Sequence, residues 1–500
     1  MSAAPQKAWR CTLCGYIHQG PVPPDYCPLC GAPDTDFEPY DSAPSAVAPQ
    51  QEVKQWRCIV CGYIHEGSVP PECCPLCGAS KDEFEAVKRP APAKSASEKT
   101  IHVAIIGAGI AGVSAAEAVR DASPKAKITL VCGENTLPYY RLNLTRFLAG
   151  EIDRTSLPIH DKDWYEKNRV DLLSGEKVDH ITPKERFFTL TGGRQIFYDK
   201  LILAMGSHPF IPPIDGTGLD GVFALRTVKD AEEIIARSAD KPRCVVIGGG
   251  ILGLECAGAL AQRGLKVTVL EGHDWLMPRQ LNRKAGGKLE DHLNKLGIAL
   301  EKKAQTRAIT GSGKVEAVEL QSGRSIPAQL VLVATGVRAD TYLARRAGLE
   351  VKQGIVVDNH LRTSDPDIYA AGDVAEHNGV LYGIWGPSQY QGRMAGMNAV
   401  GIEALFGGLP FANTLKVLGV NLTSVGKVEP EDGSYISMDG ERGDSYAHFL
   451  FRDGKMAGGI LLGDTSAASG LKNAVESGRD FSELLKKNPD AWAVIASLQR

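Results

Sequence analysis

The stretch Ile101 to Gly112, IHVAIIGAGIAG, constrains this 500-residue chain more than any other. Its small and β-branched apolar residues, Ile101, Val103, Ile105 and Ile106, predict a buried parallel strand running directly into Gly107, Gly109 and Gly112. VSAAEAVRDA follows and predicts a helix. In a strand–turn–helix unit of this kind the first glycine permits the tight turn and the second lets the backbone approach a pyrophosphate. The third lets helix and strand pack closely, with the phosphates on the helix N-terminus. One such match is weak, but Cys244 to Glu255, CVVIGGGILGLE, repeats the strand, Gly248, Gly250, Gly253 and the helix. Two units predict two dinucleotides, and two dinucleotides predict a flavin reduced by a nicotinamide.

The chain is long enough for about three or more domains, and 43% hydrophobic with 23% charged residues is an ordinary globular composition. A net charge of −3 gives no global field that recommends nucleic acid or an anionic membrane as partner. MSAAPQKAWR lacks the apolar core of a signal peptide, and no apolar run approaches the roughly 20 residues that span a bilayer. A cytoplasmic location is therefore expected. Of the twelve cysteines, eight stand in metal-like pairs, which favours a reducing compartment over a disulfide framework.

Residues 9–38 and 56–85 form a tandem repeat in exact register, WRCTLCGYIHQGPVPPDYCPLCGAPDTDFE and WRCIVCGYIHEGSVPPECCPLCGASKDEFE. Cys11, Cys14, Cys27 and Cys30 correspond to Cys58, Cys61, Cys74 and Cys77. Each unit thus offers two thiolate knuckles converging on one tetrahedral ion. Units this small bury too little apolar surface to fold unaided, so the metal has to contribute much of the folding free energy. Spacing alone does not choose between zinc and iron.

The residues around the knuckles carry a resemblance. Trp9 and Trp56 before the first pair, CGYIH, CPLCGA, and Phe37 or Phe84 followed by Glu resemble rubredoxin in the short form found at the C-terminus of rubrerythrins. That resemblance implies one iron per unit, held by four thiolates and exchanging single electrons. Cys73 has no counterpart in the first unit, where Tyr26 stands, and is expected to be a bystander. Residues 39–55 and 87–99 are rich in Pro, Ala, Ser and charge without periodicity, and read as semi-extended tethers.

After the first glycine turn a second strand, Ile128 to Val131, leads to Glu134, at the offset of a carboxylate that binds the adenosine ribose. LPYYRLNLTRFLAG, residues 137–150, resembles the flavin-reductase loop that reads PYxRPPLSK in ferredoxin reductases. The resemblance implies that Arg141 binds the pyrophosphate and that Arg146 takes the place of a lysine near the flavin ring. Leu142 and Asn143 depart from its prolines, and the cysteine that falls near Asn143 in peroxide or coenzyme A disulfide reductases is absent. In the second unit Val267 to Leu270 is the second strand. Glu271 after it predicts hydrogen bonds to the ribose hydroxyls and repulsion of a 2′-phosphate, hence NADH over NADPH.

TSDPDIYAAGDV, residues 363–374, places Gly372 and Asp373 at a helix start, with the carboxylate on the ribityl hydroxyls and the helix N-terminus near the pyrophosphate. With both glycine turns and the strand ends DKLILAMG and PAQLVLVATG, residues 101–408 resemble the two-dinucleotide flavoprotein reductases. In that superfamily a glutamate matching Glu255 reaches the nicotinamide–flavin junction, and an ion pair between Glu255 and Arg146 is expected there. WGPSQYQGRMAGMNAVG predicts a helix whose Trp385 and Gln389 either touch the flavin ring or belong to the core. The alternating segments TLKVLGVNLTSVG and YAHFLFRDGKMAGGILLG predict a small antiparallel sheet similar to the C-terminal domain of NADH:rubredoxin reductases and of nitrite-reductase flavin domains, domains that commonly dimerise.

The expected architecture is α/β. Two rubredoxin-like domains (1–40 and 54–87) and a linker (88–100) precede an FAD domain (101–214 and 334–408) interrupted by an NAD domain (215–333), and an α+β domain (409–500) closes the chain. The expected function is an FAD-dependent oxidoreductase of the NADH:rubredoxin type. It would carry electrons from NADH through FAD to two iron ions of its own and on to an external protein such as rubrerythrin, superoxide reductase or diiron oxygen reductase. The alternatives are an NADH oxidase or a peroxide or disulfide reductase, with the N-terminal repeat a zinc-bound docking module.

Overall fold

The computed structural model describes residues 100–240, 242–408 and 412–499, together with 8–11, 17–19, 22–23, 37–40, 54–58, 64–72 and 81–86. The chain divides into two units, Met1–Lys54 and Gln55–Arg500. In the first repeat Ala8–Cys11 pairs antiparallel with Ile17–Gln19 and Phe37–Tyr40, placing Cys11 opposite Phe37. The second repeat has the same three-stranded order, and there Cys58 lies opposite Phe84. Phe37 and Phe84 are both buried. The side chains of the eight expected metal ligands lie outside the described residues.

From His102 the chain builds one parallel sheet and interrupts it with another. β1 (His102–Ile106), α1 (Ile110–Ala122), β2 (Lys127–Cys132), the short α2 (Leu144–Ala149), β3 (Val170–Ser174) and β4 (Lys200–Leu203) open the first. The second holds β5 (Val222–Phe223), α3 (Val228–Arg237), β6 (Arg243–Ile247), α4 (Ile251–Gln262), β7 (Lys266–Glu271), α5 (Arg283–Lys295), β8 (Ala299–Lys302) and β9 (Leu330–Val333). The chain then returns to the first sheet with β10 (Ile368–Ala370) and packs α6 (Trp385–Ala399) against α1. The strand orders are β10-β4-β1-β2-β3 and β5-β9-β6-β7-β8, parallel throughout.

These strands are covered on both faces, which is why β1, β4, β6 and β9 read as apolar runs without alternation. Each glycine turn leaves the C-terminal end of a central strand, where open parallel sheets bind their ligands.

The C-terminal sheet is antiparallel, and its central strands are likewise covered on both faces. β11 (Ala412–Val417), β12 (Val420–Gly426), β13 (Ile436–Arg442), β14 (Ser445–Arg452) and β15 (Lys455–Leu462) pair antiparallel in the order β11-β12-β15-β14-β13. Side chains alternate between its faces. Phe449, Phe451 and Leu461 pack under α7 (Ala468–Ser477) and α8 (Ala491–Leu498), whereas Tyr446, Ile460 and Leu462 join the core of α4 and α5. The C-terminal sheet and the second parallel domain therefore share one core, which α2 also enters through Leu144 and Leu148. Among the described residues no helix is long and apolar enough to cross a membrane.

Candidate functional site

The two glycine turns are near copies. Gly107 has φ +104° and Gly248 φ +114°, conformations that side chains rarely adopt. A Cβ on Gly107 would overlap the Ala204 carbonyl, and one on Gly248 that of Ala334. A Cβ on Gly112 or Gly253 would strike the carbonyl of Gly107 or Gly248 respectively. At the middle glycines, Gly109 and Gly250, a Cβ would meet nothing within 4 Å. The outer glycines are thus required by packing, and the middle ones border open space at a helix N-terminus. No side chain caps α1 or α4, whereas Thr227 and Asn282 cap α3 and α5. The first N–H groups of the two turn helices are left for a ligand, in the field that favours an anion.

Around the first turn the expected cofactor residues converge. Glu134 Oε1 pairs with Arg141 Nη2 at 2.8 Å and its Oε2 accepts from the Tyr139 hydroxyl at 2.9 Å. That hydroxyl also accepts from Arg141 Nη1 and from the Val228 N–H. Arg141 further donates to the backbone carbonyl of Arg226, whose Nη2 stands 3.6 Å from Asp373 Oδ2. Burial and the facing Arg141 charge hold the Arg226 guanidinium below the ordinary arginine value. Each guanidinium faces a carboxylate, Glu134 for Arg141 and Asp373 for Arg226.

No helix starts at Gly372 and Asp373, where the chain instead turns into the strand Ala375–His377. Asp373 accepts from Ser207 at 2.8 Å and from Ser388, on α6, at 3.2 Å. Gly372, at φ +84°, donates to Gln391 Oε1 at 2.8 Å. Among the described residues the buried atoms Gln391 Nε2 and Gln389 Oε1 have no partner. Orphaned amides, paired arginines and an uncapped helix fit the pyrophosphate and polar chain of FAD. Trp385 stacks at a tilt on Tyr140, ring centres 5.5 Å apart.

At the second turn Glu271 is 7% exposed. Its Oε2 accepts from the Gly249 N–H at 3.0 Å and its Oε1 from the His273 N–H at 2.8 Å. The carboxylate is fixed at the lip of the turn and each oxygen keeps a further lone pair, which fits the ribose hydroxyls of NAD(H).

Residues 101–399 match the pyridine nucleotide-disulphide oxidoreductase family over more than half of the chain. The chain belongs to this family. Residues 412–479 match the rubredoxin NAD+ reductase C-terminal domain, and 9–38 and 56–85 each match the rubrerythrin rubredoxin-like domain. The nitrite reductase [NAD(P)H] of Bacillus subtilis is 36% identical over 76% of this chain and 48% of its own length. The NADH-rubredoxin oxidoreductase of Clostridium acetobutylicum is 33% identical over 77% of this chain and 97% of its own. The crystal structure of NADH:rubredoxin oxidoreductase from that organism superposes with a TM-score of 0.68 at 31% identity, covering 78% of this chain and 100% of the other. The chain spans about half the length of the nitrite and nitrate reductase relatives it matches.

Arg146 meets Glu151 at 3.3 Å, and Glu255 accepts from the Leu418 N–H at 2.8 Å. Arg146 lies in the last turn of α2, and Glu151 just past the left-handed Gly150 that ends the helix. Five further residues, Tyr139, Ser207, Arg226, Ser388 and Gln391, join the cluster at the first site without being marked by a motif. Tyr139 lies inside the loop 137–150, whereas Arg226, just before a helix cap, carries no local signal.

Cys132, Cys244 and Cys256 are free and buried. Burial pushes all three thiols up, away from the reactive thiolate.

Proposed function

We propose that this chain is an NADH-dependent flavoprotein that passes electrons through FAD to its own two rubredoxin-like iron centres and on to an external redox protein. The observation that carries the reading is one chain holding both dinucleotide turns and two tetracysteine repeats, in a family whose relatives include a protein named NADH-rubredoxin oxidoreductase. The proposed domain division is two modules at 1–40 and 54–87, FAD at 101–214 and 334–408, NAD at 215–333 and a small domain at 409–500.

FAD, when bound, accepts a hydride and releases its electrons singly. Gly107, Gly109 and Gly112 give its pyrophosphate backbone donors, Arg141 and Arg226 neutralise it, and Glu134 and Asp373 accept from its hydroxyls. Gly248, Gly250, Gly253 and Glu271 hold NADH in the same manner, with Arg146 and Glu255 at the junction. Cys11, Cys14, Cys27 and Cys30, and Cys58, Cys61, Cys74 and Cys77, form two all-sulfur sets suited to iron. A hydride carries two electrons and each iron accepts one, so two modules match one reduced flavin. Rubrerythrin, superoxide reductase and diiron oxygen reductase are the candidate acceptors, in the cytoplasm, and the C-terminal domain is the proposed homodimer contact.

The test is anaerobic mixing of the intact iron-loaded protein with NADH. Bleaching of flavin absorbance followed by loss of the red ferric colour supports the reading. A reduced flavin beside iron that stays ferric overturns it.

A further inference from the structure

The two-residue loop between β11 and β12 is an unusual hairpin tip. Val417 pairs with Val420, leaving Leu418 and Gly419 as a turn with φ +52° and +84°. Positive φ at both positions is the primed turn that suits a hairpin, and its first place ordinarily goes to asparagine, aspartate or glycine. A leucine there stores strain, and strain of this sort persists only where the surroundings compensate it.

The compensation lies on the NAD domain. Leu418 Cδ2 sits against Gly258 of α4, so close that a Cβ on that glycine would stand 2.5 Å from it. The Leu418 N–H donates to Glu255 Oε1 at 2.8 Å, and its carbonyl accepts from His292 Nε2, on α5, at 2.9 Å. Because a carbonyl only accepts, His292 carries its proton on Nε2. Glu255 and Gly258 are three residues apart and share a helix face. One residue of the C-terminal sheet thus plugs the groove between α4 and α5 and bonds to both helices through its own peptide groups. Behind it Lys284 pairs with Asp439 and Lys288 with Glu441 at 2.9 Å, securing α5 to β13.

We propose that Leu418 is a positioning residue for Glu255. The C-terminal domain inserts the tip, and the tip's N–H fixes the carboxylate toward the nicotinamide–flavin junction. The inference rests on the role given to Glu255 above. It adds that this role depends on a residue from another domain.

The test uses the intact, FAD-loaded chain and stopped-flow reduction by NADH. Leu418→Asn keeps a residue at home in the left-handed region but removes the plug. Gly258→Ala adds a Cβ 2.5 Å from Leu418 Cδ2, which the leucine side chain must move to accommodate. Each is expected to lower the limiting rate of flavin reduction about 10-fold or more, since small misplacements of a reacting group are costly. FAD content and NADH affinity should stay within about twofold, a split that general destabilisation does not produce. Leu418→Met, which refills the groove, should reduce at the unmodified rate. Glu255→Gln combined with Leu418→Asn should be no slower than Glu255→Gln alone. Normal reduction in Leu418→Asn with slow reduction in Glu255→Gln overturns the positioning role and leaves the Glu255 assignment standing. Normal reduction in Glu255→Gln removes that assignment and the proposal together.

Discussion

The backbone N–H of Gly249 donates to the Glu271 carboxylate at 3.0 Å, tying the second glycine turn to the last residue of β7. A Cβ on Gly249 would lie 2.7 Å from the same oxygen, so the carboxylate's place depends on that glycine. Hydrogen bonds to a charged group are worth about 1.5–3 kcal/mol, so Glu271→Ala should cut the preference for NADH over NADPH by about 10-fold or more. Gly249→Ala should do the same by displacement. Specificity constants for both nucleotides decide this, and equal constants in the unmodified protein would remove the argument.

Arg141 and Arg226 should both govern flavin retention. Either alanine variant is expected to weaken FAD binding about 10-fold or more by deleting a charge-assisted contact. The Arg226 variant also removes a cation facing Asp373. Flavin fluorescence on titration of the apoprotein measures the effect. FAD binding unchanged in Arg226→Ala would place that arginine outside the site.

The buried cysteines are expected to be dispensable. Cys256→Ser should still bind FAD and be reduced by NADH, while losing about 1–3 kcal/mol of stability because a hydroxyl is buried in place of a small apolar thiol. Thiol reagents should leave Cys132, Cys244 and Cys256 unmodified in the folded protein. Loss of flavin reduction in a Cys256→Ser sample that retains FAD would contradict this.

The N-terminal modules should be the electron exit. Protein isolated anaerobically from its native host is expected to hold two iron ions and no zinc. Zinc-substituted protein should still be reduced by NADH at the flavin while passing electrons poorly to one-electron protein acceptors. Equal transfer by the zinc and iron forms would make the modules docking elements instead.

The sequence by itself determined whatever depends on neighbours along the chain. Gly107, Gly112, Gly248 and Gly253 are legible because a turn of that shape leaves no room for Cβ, wherever it occurs. Parallel strands buried on both faces announce themselves as apolar runs. The cysteine pairs are legible as a tandem repeat in exact register, and their side chains fall outside the described residues.

Tertiary structure decided which side chains meet. Arg226 reaches the first site from 85 residues beyond Arg141, through a backbone carbonyl with no sequence signature. Glu255 lies 163 residues from the Leu418 N–H it accepts, a partner brought to it by a hairpin tip packed into the groove between α4 and α5. A charged side chain bonds to the polar group that packing brings nearest, and packing across domains is not written in any local stretch.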